Sequence, residues 1–222
     1  MIVDLLTTEQ SEIHCLIDNY SAKRIQAVAK RGLDLFIAGL VLLLLSPLLC
    51  LIALLVRLQD HGTAIYKRRV LGPRGEFFAY KFRTMRMDAD QVLAGDPHLK
   101  RIFERNFKLE NDPRVTQLGS FLRKYSLDEL PQLINVLKGE MSLVGPRMLT
   151  AAELGKYGTL KEVILRVKPG MTGYWQVNGR QEVSYDERIR MDVHYIRSWN
   201  LLLDIYILCK TPFKVIKGEG AY

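Results

Sequence analysis

The sequence has 222 residues, 48% of them hydrophobic and 25% charged, which suits one large domain or one medium domain with an appendage. Its net charge of +8 favours anionic partners, namely nucleic acid, a membrane surface or phosphorylated substrates. The three cysteines and four histidines are scattered and no P-loop motif occurs, which excludes a disulfide framework, a zinc ribbon and an ordinary P-loop ATP site.

The first informative segment is an apolar run at residues 35–56, which contains 22 residues and no charge. A straight helix of that length reaches roughly 33 Å, enough to cross a hydrocarbon core of about 30 Å. A buried core helix is the alternative, but six turns without a polar face are unusual for one. Acidic residues before the run and the lack of a cleavage site after it argue against a secretory signal.

The topology of this run has two interpretations, a kinked helix that spans the bilayer and a re-entrant helix. Basic residues flank it on both sides, so the positive-inside rule draws both ends to the cytoplasm. Pro47 lies near its middle and cannot donate to the carbonyl of Leu43, which predicts a kink. The hydroxyl of Ser46 is placed to satisfy part of the freed backbone. These features favour the re-entrant interpretation.

The rest of the chain predicts a soluble part with one β-hairpin and several helices. The hairpin covers residues 64–83 around a Gly/Pro turn, and helices are expected within 87–110, 120–138 and 182–208. Near the end of the chain, Trp199, Leu202, Leu203 and Tyr206 recur at helical spacing. Such a stripe faces either the core or a membrane interface, and the sequence does not decide between them.

The acidic pair Asp128 and Glu129 is the main candidate for chemistry. Ser126 and Glu129 fit a helix capping box, which would explain both without any function. Pro131 fits that box poorly, because at the fifth helical position its missing N–H would be needed. Asp128 therefore marks a junction between two helical pieces, with its carboxylate expected to be exposed to whatever binds there.

Basic residues accompany this pair. Arg147 follows Gly-Pro in a predicted tight turn, and arginine suits bidentate phosphate contacts. Lys81 and Arg83 alternate on the predicted strand and so share a face. Arg114 and Arg123 precede the acidic pair in the chain. A single exposed cation means little, but this combination with a membrane segment points to phosphate chemistry at a bilayer surface.

Several motifs resemble the bacterial sugar transferases, the monotopic phosphoglycosyl transferases that act on polyprenyl phosphate. The resemblance covers roughly residues 28–222, and within it the late portion is most similar to undecaprenyl-phosphate hexose-1-phosphate transferases. The matching segments are Lys30-Arg31-x-x-Asp34, Ser46-Pro47, 80–85 (YKFRTM), 111–116 (NDPRVT), 126–132 (SLDELPQ), 135–147 (NVLKGEMSLVGPR), 168–173 (KPGMTG) and 175–180 (WQVNGR). Val70 stands where the family often carries an arginine, so no role of that arginine is carried over.

The resemblance implies a mostly helical α/β fold and a place at the membrane. It implies an N-terminal amphipathic segment (1–28), a re-entrant membrane helix hairpin (29–58) and a compact catalytic domain (59–222) with a small β-sheet and interfacial amphipathic helices. It places the protein on the cytoplasmic face of the bacterial inner membrane, in contact with inner-membrane lipid. A homodimer is among the assemblies that it allows.

The implied reaction moves a sugar 1-phosphate from a UDP-sugar to undecaprenyl phosphate and releases UMP, as the first membrane step of exopolysaccharide, O-antigen or capsule assembly. Asp128 would be the covalent nucleophile, ionised at neutral pH. Glu129 would assist it as the protein ligand of Mg²⁺. The implied substrate-binding residues are Lys81, Arg83, Arg114, Arg123, Arg147, Gln176, Asn178, Arg180 and Asp192, of which Gln176, Asn178 and Arg180 are expected nearer the nucleotide or sugar.

Two rival functions are less consistent with the residues. A membrane-tethered nucleic-acid-binding protein would explain the charge but neither the acidic pair nor the apolar run, so we expect no nucleic-acid partner. A catalytically silent scaffold of a polysaccharide-export complex would not need an intact acidic pair, and a turnover assay distinguishes it.

Overall fold

The structure, a computed structural model, describes residues 23–106, 109, 112–179 and 183–217. Its helices are α1 (Arg24–Asp60), α2 (Ala89–Gly95), α3 (Pro97–Asn106), α4 (Gln117–Lys124), α5 (Gln132–Lys138), α6 (Ala151–Leu154), α7 (Lys161–Arg166), α8 (Tyr174–Asn178), α9 (Tyr185–Ser198) and α10 (Leu201–Lys217). Its strands are β1 (Ile65–Gly72), β2 (Gly75–Phe82), β3 (Ser142–Val144) and β4 (Gly170–Thr172), and 3-10 turns cover Leu127–Glu129 and Gly155–Leu160. The expected mostly helical α/β class with a small sheet is confirmed.

The apolar run lies within α1, one continuous helix of 37 residues. Pro47 is inside it, and the hydroxyl of Ser46 donates to the carbonyl of Leu43 at 2.8 Å, as the sequence predicts. The middle of α1 projects away from the core, since Leu43 is 72% exposed. By length and composition α1 could cross a membrane. The expected hairpin does not divide α1 into two separate helices, and α1 begins before the predicted boundary at residue 29. Residues 1–22 of the predicted N-terminal segment lie outside the described residues.

The beginning of α1 is attached to the C-terminal part of the chain by buried polar contacts. Lys30 forms an ion pair with Asp204 at 2.6 Å and donates to the carbonyl of Val144 at 2.9 Å. Asp34 accepts the backbone N–H of Leu143 at 3.0 Å. Because both charged side chains are buried and partnered, they fix the position of α1 against β3 rather than facing lipid.

The end of α1 is attached to the β-hairpin. Asp60, its last residue, pairs with Arg83 just after β2. Ile52 and Val56 of α1 pack in a separate small core with Phe82. Both ends of α1 therefore contact the same globular unit.

The predicted β-hairpin is confirmed, with Ile65 paired to Phe82 and Gly72 paired to Gly75. Gly75 has a φ of 99°, which glycine adopts without strain at the turn. The outer edge of β2 is covered by Asn135 of α5. The Asn135 amide donates to the carbonyl of Phe78 at 2.7 Å and accepts the N–H of Tyr80 at 3.0 Å. This side chain fixes α5 to the hairpin, and with it the segment that precedes α5.

A second small sheet pairs β3 with β4 in parallel. Gly145 and Gly170 cross so closely at its end that a Cβ built on Gly145 would lie 2.8 Å from the Gly170 nitrogen. The main core surrounds this sheet and includes Val144, Tyr195 and Trp199. The close crossing fixes the loop after β3, which carries Arg147.

The C-terminal stripe predicted from the sequence divides between core and surface. Trp199 is fully buried, whereas Leu202 is 77% exposed and Tyr206 is 44% exposed. Asp204 lies on the buried side of α10, where it accepts hydrogen bonds from Tyr195 at 2.7 Å and from Trp199 at 3.1 Å. The core-facing side of α10 is thus defined by Asp204 and Ile207, which follow the buried Trp199, and an apolar side of the helix is left exposed.

Candidate functional site

The acidic pair lies in the 3-10 turn Leu127–Glu129, between α4 and α5. The prediction that Asp128 marks a junction between two helical pieces is confirmed. The expectation of an exposed Asp128 carboxylate is wrong, because Asp128 is buried, whereas the Glu129 side chain is 31% exposed. The turn is held between the hairpin, through Asn135, and the preceding helix α4, so its position follows from two packed elements.

The alternative interpretation of Ser126 and Glu129 as a capping box is wrong. Ser126 has a φ of 53°, and its side chain makes no capping hydrogen bond. α5 begins only after Pro131, where the missing N–H of proline costs nothing. The capping boxes in the described residues are at Thr150 with Glu153 and at Ser184 with Glu187, which the sequence reading missed.

Lys81 of β2 and Glu129 form an ion pair across the site. Burial raises the pKa of Glu129, but the charge and hydrogen bond of Lys81, together with Arg147, outweigh burial and hold that pKa below its usual value. Glu129 is therefore ionised at neutral pH and already faces a cation.

The pKa of Asp128 is shifted in the opposite direction, above its usual value. Burial raises its pKa to about 6, and the neighbouring charge of Glu129 adds to this, although the charges of Lys81 and Arg123 oppose it. Arg123 of α4 donates to the hydroxyl of Thr84 at 2.9 Å. A carboxylate with its pKa just below neutrality, poorly solvated and flanked by cations, is suited to act as a nucleophile.

Arg147 extends the cationic surroundings beyond the pair. Its charge lowers the pKa of both Glu129 and Glu153. Its backbone N–H faces the buried Asp192 carboxylate at 3.4 Å to each oxygen, and Tyr157 donates to the same carboxylate at 3.2 Å. Asp192 is thus placed behind Arg147, and burial raises its pKa to about 7.

Two predicted arginines are engaged elsewhere. Arg83 pairs with Asp60 and donates to the carbonyl of Thr63 at 2.7 Å. Arg114 is buried in a two-point ion pair with Asp112, at 2.8 and 2.7 Å. The structure thus brings Lys81 and Arg123 to the acidic pair and Arg147 within electrostatic reach of Glu129, and it holds Arg83 and Arg114 in ion pairs of their own.

The remaining predicted residues belong to α8 and the segment after it. Gln176 donates to the carbonyl of Met171 at 3.2 Å, and its side-chain oxygen is buried without a partner. Asn178 is exposed and donates to the carbonyl of Tyr174 at 3.0 Å. Arg180 lies outside the described residues.

Sequence reasoning missed a group of residues beside Arg147. Arg188 of α9 and Trp175 of α8 lie there, together with Tyr185. Glu153, which is buried, forms an ion pair with Arg68 at 3.2 Å. Trp175 belongs to the family-like motif at residues 175–180. Arg188 lies in an ordinary amphipathic helix, and no sequence pattern marks it as functional.

The donor set fits a Mg²⁺ ion held mainly by a substrate. Mg²⁺ is commonly bound by one or two carboxylates and by substrate phosphates. Asp128 and Glu129 provide two adjacent carboxyl groups, and no cluster of three or more His, Cys, Asp or Glu side chains occurs among the described residues. Glu129, the more exposed of the two, is the better placed ligand.

Comparison with known proteins gives a consistent match. The family model described as bacterial sugar transferase matches residues 25–218. The chain is 46% identical over 211 residues to the undecaprenyl-phosphate galactose phosphotransferase of Salmonella typhimurium, covering 93% of this chain and 44% of the relative. It is 45% identical over 203 residues to the exopolysaccharide production protein ExoY of Sinorhizobium fredii, covering 89% of this chain and 90% of the relative.

A third relative is the UDP-glucose:undecaprenyl-phosphate glucose-1-phosphate transferase of Escherichia coli, which is 41% identical over 208 residues. The match covers 89% of this chain and 42% of that protein. The chain therefore spans less than half the length of the Salmonella and Escherichia relatives, and most of the length of the rhizobial one.

Proposed function

The chain belongs to the bacterial sugar transferase family, and we propose that it transfers a sugar 1-phosphate from a UDP-sugar to undecaprenyl phosphate. The observation that carries this proposal is the buried Asp128 carboxylate, which lies beside Glu129 and faces the charges of Lys81 and Arg123. The names of the relatives supply the substrate class, since they specify undecaprenyl phosphate with galactose or glucose donors.

The proposed reaction has two displacements at one phosphorus atom. An oxygen of Asp128 attacks the phosphorus that carries the sugar, and the bond from that phosphorus to the bridging oxygen breaks, so UMP leaves with the electron pair. A phosphate oxygen of undecaprenyl phosphate then attacks the same phosphorus and displaces Asp128. The products are undecaprenyl-diphosphate sugar, UMP and the regenerated carboxylate.

The surrounding side chains have separate tasks in this scheme. Lys81 and Arg123 lower the repulsion between the carboxylate and the diphosphate, which are both negative. Glu129 would hold Mg²⁺, which when bound neutralises charge on the diphosphate oxygens. Lys81 pairs with Glu129, and this ion pair orients both side chains for the arriving substrate.

We further propose that α1 is re-entrant and that the site rests on the cytoplasmic face of the inner membrane. The support is that the two ends of α1 contact one globular unit, through Lys30 with Asp204 and through Asp60 with Arg83. The middle of α1, around Pro47, is exposed and apolar. A helix that spans the bilayer would place its two ends on opposite sides.

Turnover by the purified protein in lipid nanodiscs tests the activity. Undecaprenyl phosphate, Mg²⁺ and a panel of UDP-sugars are supplied, and both UMP and the lipid product are measured. We expect one or a few donors to give equal amounts of the two products. Mass spectrometry of protein incubated with the donor alone should find a sugar phosphate on the peptide that contains Asp128. UMP release without lipid product, or no release with any donor, would contradict the proposal.

A further inference from the structure

Unsatisfied buried polar atoms are concentrated beside Arg147. Within the described ranges, seven buried side-chain nitrogen or oxygen atoms have no hydrogen-bond partner, and five of them belong to this region. These five are Nε of Arg147, Nε of Arg188, Nε1 of Trp175, Oε1 of Gln176 and the hydroxyl of Tyr185. Buried polar groups are normally satisfied, so such a group of orphaned atoms indicates a missing ligand.

The donors in this group converge on Trp175. The guanidinium carbon of Arg147 lies 5.5 Å from the Trp175 ring centroid, and that of Arg188 lies 4.8 Å from it. The charge of Arg147 and the burial of Arg188 both lower the pKa of Arg188, burial being the larger cause. Two like charges therefore share a poorly solvated place, which is unfavourable until an anion joins them.

The acidic side chains nearby do not supply that anion. Glu153 is occupied by Arg68 and by the Thr150 cap. Asp192 attracts both guanidinium groups electrostatically, but its oxygens are already engaged by the Tyr157 hydroxyl and the Arg147 backbone N–H, and burial raises its pKa to about 7. Positive charge and N–H donors thus exceed the acceptors in this region, and a phosphate oxygen is the acceptor that guanidinium groups bind best.

We propose that Arg188, together with Arg147 and the indole N–H of Trp175, binds the nucleotide phosphate of the donor, the phosphate that leaves as UMP. This inference rests on the proposed function for the identity of its ligand.

The position of Arg147 explains why the leaving phosphate is the one bound here. Arg147 acts electrostatically on Glu129 in the acidic turn and on Arg188 in this region, so it connects the two. Lys81 and Arg123 act on Asp128, which attacks the sugar-bearing phosphorus. The next phosphate along the diphosphate gains the electron pair of the broken bond, and a second cationic pair is placed to stabilise that charge.

UMP binding by the full chain tests the proposal without turnover. Isothermal titration with UMP, and with uridine as the probe that lacks phosphate, is compared for wild type and Arg188→Met. Methionine keeps much of the stem that lies on Trp175 and removes the charge. The matched control is Arg190→Met, since Arg190 is exposed on the same helix and lines a separate groove with Leu160 and His194.

We expect Arg188→Met to weaken UMP binding by at least about tenfold, the loss typical of a charged hydrogen bond, and Arg190→Met to leave it unchanged. The ligand-free melting temperature of Arg188→Met should equal or exceed that of wild type, because the variant removes a half-buried guanidinium whose Nε has no partner and which lies near the like charge of Arg147. Unchanged UMP affinity in a folded Arg188→Met protein, with or without a lower melting temperature, would overturn the proposal. If that variant does not fold, Arg188→Gln, which also removes the charge, decides by the same tenfold criterion.

The outcomes separate this inference from the proposed function. If wild type binds UMP through Arg188 but turns over no UDP-sugar, the phosphate site is supported and the proposed reaction is contradicted. If turnover is normal but the Arg188 substitution does not change UMP affinity, the phosphate site is contradicted and the proposed reaction is supported.

Discussion

Asp128 is buried, yet the proposed reaction requires its carboxyl group to be negatively charged, and this conflict makes its substitution informative. We expect Asp128→Asn to reduce turnover at least about 10³-fold, because an amide cannot act as the nucleophile. Folding should be retained or slightly strengthened, since the variant removes a poorly solvated carboxyl group. UMP release and circular dichroism measure the two effects. Asp186→Asn, at an exposed position on α9, serves as control, and more than a tenth of wild-type activity in Asp128→Asn would exclude the covalent role.

A substitution of Glu129 tests whether this residue is the expected Mg²⁺ ligand. Glu129→Gln removes one carboxylate charge and releases Lys81 from its ion pair. We expect severely impaired turnover, and a Mg²⁺ titration in which half-maximal activity needs a higher concentration than in wild type. An unchanged Mg²⁺ dependence would show that the ion, if required, is held without this side chain.

The raised pKa of Asp192 predicts that the stability of the folded protein depends on pH. Burial raises its pKa to about 7, above the value of an aspartate in the unfolded chain. The folded state therefore binds the proton more tightly, and the stability gained from it is full at low pH and is lost as the pH rises through about 7. We expect the melting temperature to fall between about pH 4 and pH 7, and less steeply in Asp192→Asn. Equal slopes in both proteins would contradict this assignment.

At the scale of elements, the centre of α1 determines how the helix meets the membrane. Replacing Ser46-Pro47 with Ala-Leu restores the missing backbone donor and removes the cause of a bend. We expect a larger fraction of the protein to span the bilayer, because a straight helix of this length can reach across it.

Single cysteines at the exposed positions 24 and 59 report this topology, after Cys15, Cys50 and Cys209 are replaced by serine. In intact cells both sites of the otherwise unchanged protein should resist a membrane-impermeant maleimide, and one site should react in the Ala-Leu variant. Reaction of either site without the Ala-Leu change would show a true span.

The elements differ in how far the sequence could predict them. The hairpin was predictable because the turn at Gly75 and the alternation on both sides act locally. The cap of α5 was not, since a left-handed backbone at Ser126 depends on how α4 and the hairpin pack around the turn. The acidic pair could be found because its residue types are chemically unusual together. Arg188 could not, because its importance comes only from meeting Arg147 over Trp175 in three dimensions.

At the scale of the whole molecule, α1 is part of the fold as well as a membrane segment. The Lys30–Asp204 pair is buried, so removing one partner leaves an uncompensated charge. We expect Lys30→Met to destabilise the protein by about 3–5 kcal/mol, measured as thermal unfolding in detergent. Lys100→Met, at an exposed site on α3, should have no effect. If Lys30→Met is as stable as that control, α1 serves only as a tether.

The covering of β2 by Asn135 has a consequence for how the protein behaves at high concentration. A two-stranded sheet normally leaves unpaired N–H and C=O groups that recruit strands from other molecules. The Asn135 amide occupies the N–H of Tyr80 and the carbonyl of Phe78, as a neighbouring peptide group would. One side chain therefore protects the β2 edge of the hairpin against intermolecular strand addition, and crowding of many copies on one membrane would make its loss an aggregation hazard.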